Sequence, residues 1–134
     1  MTPVLVDSNV LLDVAYGDPR WGSWSSTALA SLADESVLVI NPLIYAEVSI
    51  RYESIEAVES AMPTSLYRRE DIPYEAAYLA GKAYIRYRER GGKRRSILPD
   101  FLVGAHAAIA GYRVLTRDPK RYRSYYPTLE LIAP

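Results

Sequence analysis

The sequence predicts one α/β domain over residues 1–134, with a central short parallel sheet of about four to five strands flanked by helices on both faces. Its candidate strands, such as "VLV" and "VLVI", are apolar throughout rather than alternating, which is typical of strands buried on both faces. Each of these strands is followed by a segment with helical character, and this alternation favours a parallel sheet. A chain of 134 residues has the usual size of a single domain.

The predicted elements follow one another in a regular order along the chain. A strand over residues 3–7, "PVLVD", leads into a helix that begins in "SNVLLDVAYG". A second strand, "SVLVIN", precedes a helix in which Asn41 is the N-cap and Pro42 the first helical residue. The other predicted elements are helices over 23–35, 42–54 and 73–90, a strand over 112–116 before "RDPKRY", and a last strand over 129–133.

The segment "SILPDFLVGAHAAIAGY" reads as a buried helix, opened by Pro99 and closed by Gly111. It has almost no polar face, yet Asp100 lies in its first turn. Burying a carboxylate without a partner would cost on the order of several kcal/mol. Asp100 therefore needs a hydrogen-bond donor, a cation or a metal ion.

Four acids can meet at one edge of the predicted sheet. Asp7 ends the first strand, Asp118 follows the third, Glu47 lies about one and a half turns into the helix after the second, and Asp100 opens the buried helix. Such a cluster is stable only with cations inside it, because like charges repel. Oxygen ligands favour Mg²⁺ or Mn²⁺, and one histidine with no cysteine excludes the usual zinc site. The pattern favours metal-assisted hydrolysis of a phosphodiester.

Each candidate also has a simpler interpretation. Asp7 is a possible helix N-cap, Asp118 a turn former and Glu47 a solvated helix position. His106 reads as a satisfied core histidine rather than a catalyst, and Asp13 as a residue that faces water. The observation that favours the metal site is the equivalent placement of all four acids.

Charge is balanced overall, with 16 Lys and Arg against 16 Asp and Glu, although the cations are concentrated late in the chain. The stretches "RYRERGGKRR" and "TRDPKRYRSYY" mix cations with tyrosines, a composition that can contact phosphates and stack on bases. The basic run that includes Arg94 and Arg95 reads first as a solvated loop, and Lys93, Arg94, Arg95 and Arg117 are candidate nucleic-acid-binding residues. The sequence has no cysteine, and its N-terminal segment resembles neither a secretion signal nor a membrane span, so we expect a cytoplasmic protein.

The four acids, in this order, resemble those of the PIN-domain family, and the short chain resembles its VapC toxins. The resemblance rests on "VLVDSNVLLD", "NPLIYAEV", "LPDFLVGAHA" and "VLTRD", which together span nearly the whole chain. It implies a PIN-like fold and a metal-dependent endoribonuclease that binds one or two Mg²⁺ or Mn²⁺ ions. The implied catalytic and metal-binding residues are Asp7, Glu47, Asp100 and Asp118, with Ser8, Asn9 and Thr116 as supporting polar residues.

The resemblance further implies a homodimer, an RNA substrate such as tRNA or rRNA, and a VapB-like antitoxin whose C-terminal tail blocks the cleft. Two other classes remain open from the residues alone. One is a catalytically weak domain of this fold that binds RNA or protein. The other is a phosphotransfer domain of the receiver or haloacid-phosphatase type. The phosphatase pattern requires an aspartate two residues after the first, and this sequence has Asn9 there, which argues against that type.

Overall fold

The computed structural model describes residues 2–134, so Met1, the first residue of the predicted domain, lies outside the described residues. Within them five strands form one parallel sheet, and the chain passes through seven helices. The strands are β1 (Val4–Val6), β2 (Leu38–Ile40), β3 (Tyr67–Arg69), β4 (Arg113–Leu115) and β5 (Leu131–Ile132). The helices are α1 (Ser8–Tyr16), α2 (Gly22–Glu35), α3 (Pro42–Ser49), α4 (Ile55–Ala61), α5 (Tyr74–Glu89), α6 (Pro99–Ala110) and α7 (Lys120–Tyr125).

The strand order is β3-β2-β1-β4-β5, and every neighbouring pair is parallel. The strand β1 is central because the chain adds β2 and β3 on one side of it and β4 and β5 on the other. The order therefore reverses at β1, and in open parallel sheets ligands bind beyond the carboxyl ends of the strands at such a switch point. The residue that follows β1 is Asp7.

All residues of β1 and β2 are buried. Because successive side chains of a strand point to opposite faces, full burial means that helices cover the sheet on both faces. A second apolar cluster joins α5 to α6, where Ala76, Ala80 and Ala83 line one side of α5 and pack near Phe101. The predicted α/β architecture is confirmed.

The helix boundaries follow local signals that the sequence contains. The Asn41 side chain accepts a hydrogen bond of 2.9 Å from the Ile44 backbone N–H, as expected of an N-cap. Pro99 opens α6, and Gly111 ends it with a φ of 75°, a left-handed conformation that favours glycine. No helix among residues 2–134 is long and apolar enough to cross a bilayer.

Three elements differ from the prediction. The edge strand β3 and the short helix α4 were not predicted, and α3 ends at Ser49 rather than continuing to residue 54. The chain leaves the helical path after α3 because the Arg51 and Tyr52 backbone N–H groups bond to carbonyls only three residues earlier. This turn brings Ser54 into place, where its hydroxyl caps α4 by accepting from the Ala57 backbone N–H.

Candidate metal centre

Asp7 lies at the carboxyl end of the central strand, where its backbone N–H donates to the Leu115 carbonyl of β4 at 2.9 Å. It occupies the N-cap position of α1, yet its side chain makes no capping hydrogen bond. The carboxylate is therefore directed to other partners, and it is only 5% exposed. The N-cap interpretation of its side chain is wrong, while its position at the strand end is as predicted.

Three donors converge on one oxygen of Asp7. Its Oδ2 accepts hydrogen bonds from the Tyr122 hydroxyl at 2.7 Å, the Thr116 hydroxyl at 3.0 Å and the Asn9 amide at 3.4 Å. The Asn9 amide also lies 3.1 Å from Thr116 Oγ1, so the supporting residues contact one another. Asn9 and Thr116 were predicted as supporting polar residues, whereas Tyr122 was not.

Glu47 reaches the same edge from α3. The Ser8 hydroxyl donates to Glu47 Oε1 at 2.9 Å, which gives Ser8 a supporting contact as well. Burial raises the pKa of Glu47, the Ser8 hydrogen bond opposes the shift, and the negative charge of Asp100 adds to it. Glu47 is thus a half-buried acid whose charge is not compensated, rather than a solvated helix position.

Asp100 is partly exposed in the first turn of α6, and the Arg121 guanidinium of α7 donates to its Oδ2 at 3.0 Å. The required partner of Asp100 within residues 2–134 is therefore a cation from the helix that follows β4. The charge of Asp100 nevertheless raises the pKa of both Asp7 and Glu47, so the three carboxylates share one electrostatic field.

The pKa of Asp7 rises from 3.8 to about 6. Burial is the largest cause, the Tyr122 and Thr116 hydrogen bonds oppose it, and the charges of Asp100 and Glu47 add to it. A carboxyl group whose pKa is raised by burial and like charges lacks a counter-charge, which is a common property of functional sites.

Asp118 is exposed and lies two residues beyond Thr116, whose Oγ1 accepts a hydrogen bond of 3.1 Å from the Asp118 backbone N–H. Its carboxylate makes no hydrogen bond within residues 2–134. The structure thus links the Asp118 backbone to the Asp7 cluster through Thr116. It does not bring the Asp118 side chain into contact with the other three acids.

The donor set fits a hard divalent cation. Within the described part of the chain no three acidic or histidine side chains form a ready cage for a metal ion. Mg²⁺ does not need such a cage, because it usually keeps several waters and binds through one or two carboxylates together with substrate phosphates. Asp7 and its acidic neighbours supply only oxygen ligands, and no donor among residues 2–134 contacts Asp7 Oδ1. These residues are therefore suited to Mg²⁺ or Mn²⁺ rather than to zinc.

Arg117 has a structural partner. Its Nε lies 2.8 and 3.0 Å from the two carboxylate oxygens of Asp13, and the Ser25 hydroxyl donates to Asp13 Oδ2 at 2.9 Å. The expectation that Asp13 faces water is wrong, since Asp13 is 4% exposed. Arg117 itself keeps about a third of its side chain exposed (34%), so part of the guanidinium remains accessible.

The cations predicted to bind RNA at Lys93, Arg94 and Arg95 lie in the exposed loop between α5 and α6. Their side chains form no ion pair or hydrogen bond with residues 2–134. The Arg94 backbone, by contrast, is fixed, because its carbonyl accepts from the Tyr84 hydroxyl at 3.1 Å and from Arg88 at 3.2 Å. The loop thus presents free cations on an anchored backbone.

His106 is a core residue, as predicted, and is 1% exposed. Asn41 uses its Oδ1 for the helix cap, so its amide nitrogen faces His106 Nδ1 at 3.1 Å, and that ring nitrogen must accept. His106 Nε2 then carries the proton and lies 3.5 Å from Glu70 Oε1. Burial lowers the pKa of His106. None of these contacts involves the acids around Asp7.

Arg121 and Tyr122 are the two residues of the cluster that the sequence did not predict. Both lie in "TRDPKRYRSYY", which was interpreted as a surface of cations and tyrosines. Tyr122 is instead 1% exposed and contacts Asp7. Residue type carried no signal for this, because the stretch contains three tyrosines within five positions.

Fold and cluster together define a class of small α/β domain with a group of acidic side chains at the switch point of a parallel sheet. A model of the PIN domain matches residues 4–125. The chain therefore belongs to the PIN domain family. Comparison with curated proteins finds no match in sequence.

Solved structures with the same fold include toxin-antitoxin complexes. VapBC2 from Rickettsia felis, bound to a DNA fragment from its promoter, has a TM-score of 0.73 and 17% identity, with 98% of each chain covered. DNA-bound VapBC from Salmonella typhimurium has a TM-score of 0.69 and 16% identity, covering 99% of this chain and 98% of the other. Mycobacterium tuberculosis VapC20, a toxin that cleaves the sarcin-ricin loop, has a TM-score of 0.61 and 14% identity, covering 90% and 94%. At these identities the likeness shows a shared fold.

Proposed function

We propose that this protein is a metal-dependent endoribonuclease of the VapC type. The observation that carries the proposal is the shared field of Asp7, Glu47 and Asp100 at the end of the central strand, in which the pKa of Asp7 rises to about 6. Carboxyl groups with a strongly raised pKa cluster at functional sites, and a divalent cation directly compensates the negative charge of such a group. Membership of the PIN domain family supports the same activity.

In the proposed site Asp7, Glu47 and Asp100 hold one or two Mg²⁺ or Mn²⁺ ions, and Asp118 completes the set from the adjacent turn. A bound ion supplies Lewis-acid chemistry, because it lowers the pKa of a water molecule and neutralises charge on the scissile phosphate. Glu47, held by Ser8 through one oxygen, has its other oxygen free to orient water. Asn9 and Thr116 fix the Asp7 carboxylate by donating to its Oδ2.

The proposed substrate is a structured RNA such as tRNA or rRNA. VapC20, which shares the fold, cleaves the sarcin-ricin loop. In this chain the exposed loop cations Lys93, Arg94 and Arg95 can contact phosphates. Their loop leads directly into the first turn of α6, which contains Asp100. Arg117 is a weaker candidate for RNA contact, because Asp13 holds its Nε.

The proposed partner is a VapB-like antitoxin, and the proposed assembly is a homodimer in the cytoplasm. Several structures with this fold are VapBC complexes. An arginine side chain from such a partner can pair with the carboxylates around Asp7 and compete with a metal ion for them. The contact between Arg121 and Asp100 supports this pairing, because it places a guanidinium 3.0 Å from one of these carboxylates.

Incubation of the purified protein with total cellular RNA and Mg²⁺ or Mn²⁺, followed by mapping of the cut ends, tests the activity. Asp7→Asn should abolish cleavage, while Asp34→Asn, which removes an exposed acid from α2, should leave it unchanged. We expect discrete cuts by the wild type that a chelator prevents. Cleavage by Asp7→Asn at the wild-type rate would contradict the proposed site.

A catalytically weak module that binds RNA or protein is the second candidate. The ion pair between Arg121 and Asp100 and the absence of a ready three-ligand cage among residues 2–134 are the observations that favour it. This candidate predicts RNA binding of equal strength in the wild type and Asp7→Asn, with no cuts from either protein.

A further inference from the structure

Helix α7 brings a tyrosine hydroxyl into the acid cluster. Tyr122 is 1% exposed, and its hydroxyl donates to Asp7 Oδ2 at 2.7 Å, the shortest of the three hydrogen bonds that this oxygen accepts. A tyrosine needs a polar partner when its ring is buried, and here the partner is the acid at the centre of the site.

The two oxygens of Asp7 are engaged unequally. Tyr122, Thr116 and Asn9 all donate to Oδ2, while no donor among residues 2–134 contacts Oδ1. Several donors on one oxygen fix the rotation of the carboxylate about its side-chain bond. The other oxygen, Oδ1, is left without a donor from residues 2–134 and is available as a ligand for a cation.

Packing fixes the phenol itself. A Cβ at Gly104 of α6 would lie 3.2 Å from Tyr122 Cδ1 and 2.5 Å from Tyr126 Cδ2, so only glycine leaves room for both rings. The neighbouring Tyr126 hydroxyl donates to the Phe101 carbonyl at 2.8 Å, a contact that does not involve the acid cluster. The ring of Tyr122, on α7, is therefore packed against α6, and its hydroxyl donates to Asp7.

We infer that Tyr122 is a positioning residue that orients Asp7 so that Oδ1 is presented to the divalent cation. This inference rests on the proposed metal site. Tyr122 would act indirectly, by holding the Asp7 carboxylate, and would not itself contact the metal ion or the RNA. The expected effect of removing the hydroxyl is a loss of metal affinity of about tenfold, the usual size for a residue that supports a metal ligand.

Titration calorimetry with Mn²⁺ alone, at about pH 8 so that Asp7 is ionised, measures this effect. Tyr122→Phe keeps the buried ring and removes only the hydroxyl. Tyr126→Phe is the matched control, because it removes a tyrosine hydrogen bond of similar length from the same helix end without contacting Asp7. Thermal unfolding of each variant separates metal affinity from folding.

We expect Mn²⁺ to bind Tyr122→Phe about tenfold more weakly than the wild type and Tyr126→Phe as tightly as the wild type, with both variants folded. In RNA cleavage Tyr122→Phe should lower kcat at saturating RNA while KM for RNA stays unchanged. Equal Mn²⁺ affinity of Tyr122→Phe and the wild type would overturn the inference and leave the proposed function standing. Failure of the wild type to bind Mn²⁺ would overturn the proposed function and the inference with it.

Discussion

At the scale of a single residue, the raised pKa of Asp7 makes the stability of the protein depend on pH. A carboxyl group whose pKa rises from 3.8 to about 6 on folding stabilises the native state fully below about pH 4, and this contribution is lost as the pH rises through 6. Asp7→Asn removes the titration, so without metal at about pH 8 it should be more stable than the wild type by on the order of 2 kcal/mol.

Urea unfolding of both proteins across pH measures this difference. The advantage of Asp7→Asn should shrink towards pH 4, where the wild-type carboxyl is protonated. Asp34→Asn, an exposed acid on α2, should follow the wild type throughout. A difference that stays constant with pH would show that Asp7 does not titrate as its surroundings imply.

Arg117 illustrates a second effect at the residue scale, the dependence of a buried acid on one cation. Asp13 is 4% exposed, and without Arg117 its charge would retain only the Ser25 hydroxyl as a side-chain partner among residues 2–134. Because Arg117 is itself a third exposed (34%), we expect Arg117→Ala to cost about 2 kcal/mol, below the range for a fully buried pair.

The measurement is a double-mutant cycle with Asp13→Asn, followed by urea unfolding. In the Asp13→Asn background the Arg117→Ala change should cost far less. An unchanged free energy of unfolding in Arg117→Ala, together with weaker RNA binding, would instead make Arg117 a surface residue that contacts substrate.

The acids at strand ends could be predicted from the sequence, because a buried strand fixes the position of the residue that follows it. Asp7 is such a residue, and Thr116 follows β4 in the same way. Asp13 and Tyr122 could not be predicted, because their burial depends on partners from distant segments. Asp13 is buried by α2 and Arg117, and Tyr122 by the approach of α7 to Gly104. Neither contact has a local signature.

At the scale of elements, strands with a local apolar pattern were predicted, and elements that depend on contacts with distant segments were not. Strands β1 and β2 are continuous apolar runs and were predicted, whereas β3 reads "YRR" and buries only Tyr67. An edge strand with two arginines lacks both the apolar run and a visible alternation, so its pairing with β2 is decided by tertiary contacts. Helix α4 has only seven residues, too few to show a periodic pattern.

The contact between α6 and α7 depends on Gly104, and its substitution gives a prediction at this scale. Gly104→Ala places a methyl group 2.5 Å from the Tyr126 ring and 3.2 Å from the Tyr122 ring. We expect a loss of about 1–3 kcal/mol in stability from this overpacking. Mn²⁺ affinity should also fall, because the Tyr122 hydroxyl moves away from Asp7.

Gly81→Ala is the matched control for Gly104→Ala. Gly81 also lies inside a helix, α5, but no atom of the described residues that could clash lies within 4 Å of the added methyl group. It should be neutral or stabilise the protein by about 0.5–1 kcal/mol, because glycine is the poorer helix former. Urea unfolding and Mn²⁺ calorimetry of both variants test the pair. Equal behaviour of the two variants would show that α6 and α7 adapt without loss.

At the scale of the whole molecule, the distribution of charge matters more than its zero sum. The acids near Asp7 attract cations, while Lys93, Arg94 and Arg95 form a patch of positive charge on the loop before α6 that no acid in the described part of the chain pairs with. If this patch contacts RNA phosphates, replacing all three cations by alanine should weaken binding. It should also make the salt dependence of log K less steep by about 2 units for a single strand.

Fluorescence anisotropy with labelled RNA in the cleavage-deficient Asp7→Asn background, over a series of salt concentrations, measures both quantities. The matched control replaces Arg20, Arg51 and Lys82 by alanine, which changes the net charge equally with exposed cations from three other segments. The loop triple should lose affinity and salt dependence together, and the control should retain both. If the loop cations contact RNA phosphates next to Asp100, their position matters as well as their charge. Equal losses of affinity in the two triple variants would therefore mean that RNA binding depends on net charge alone.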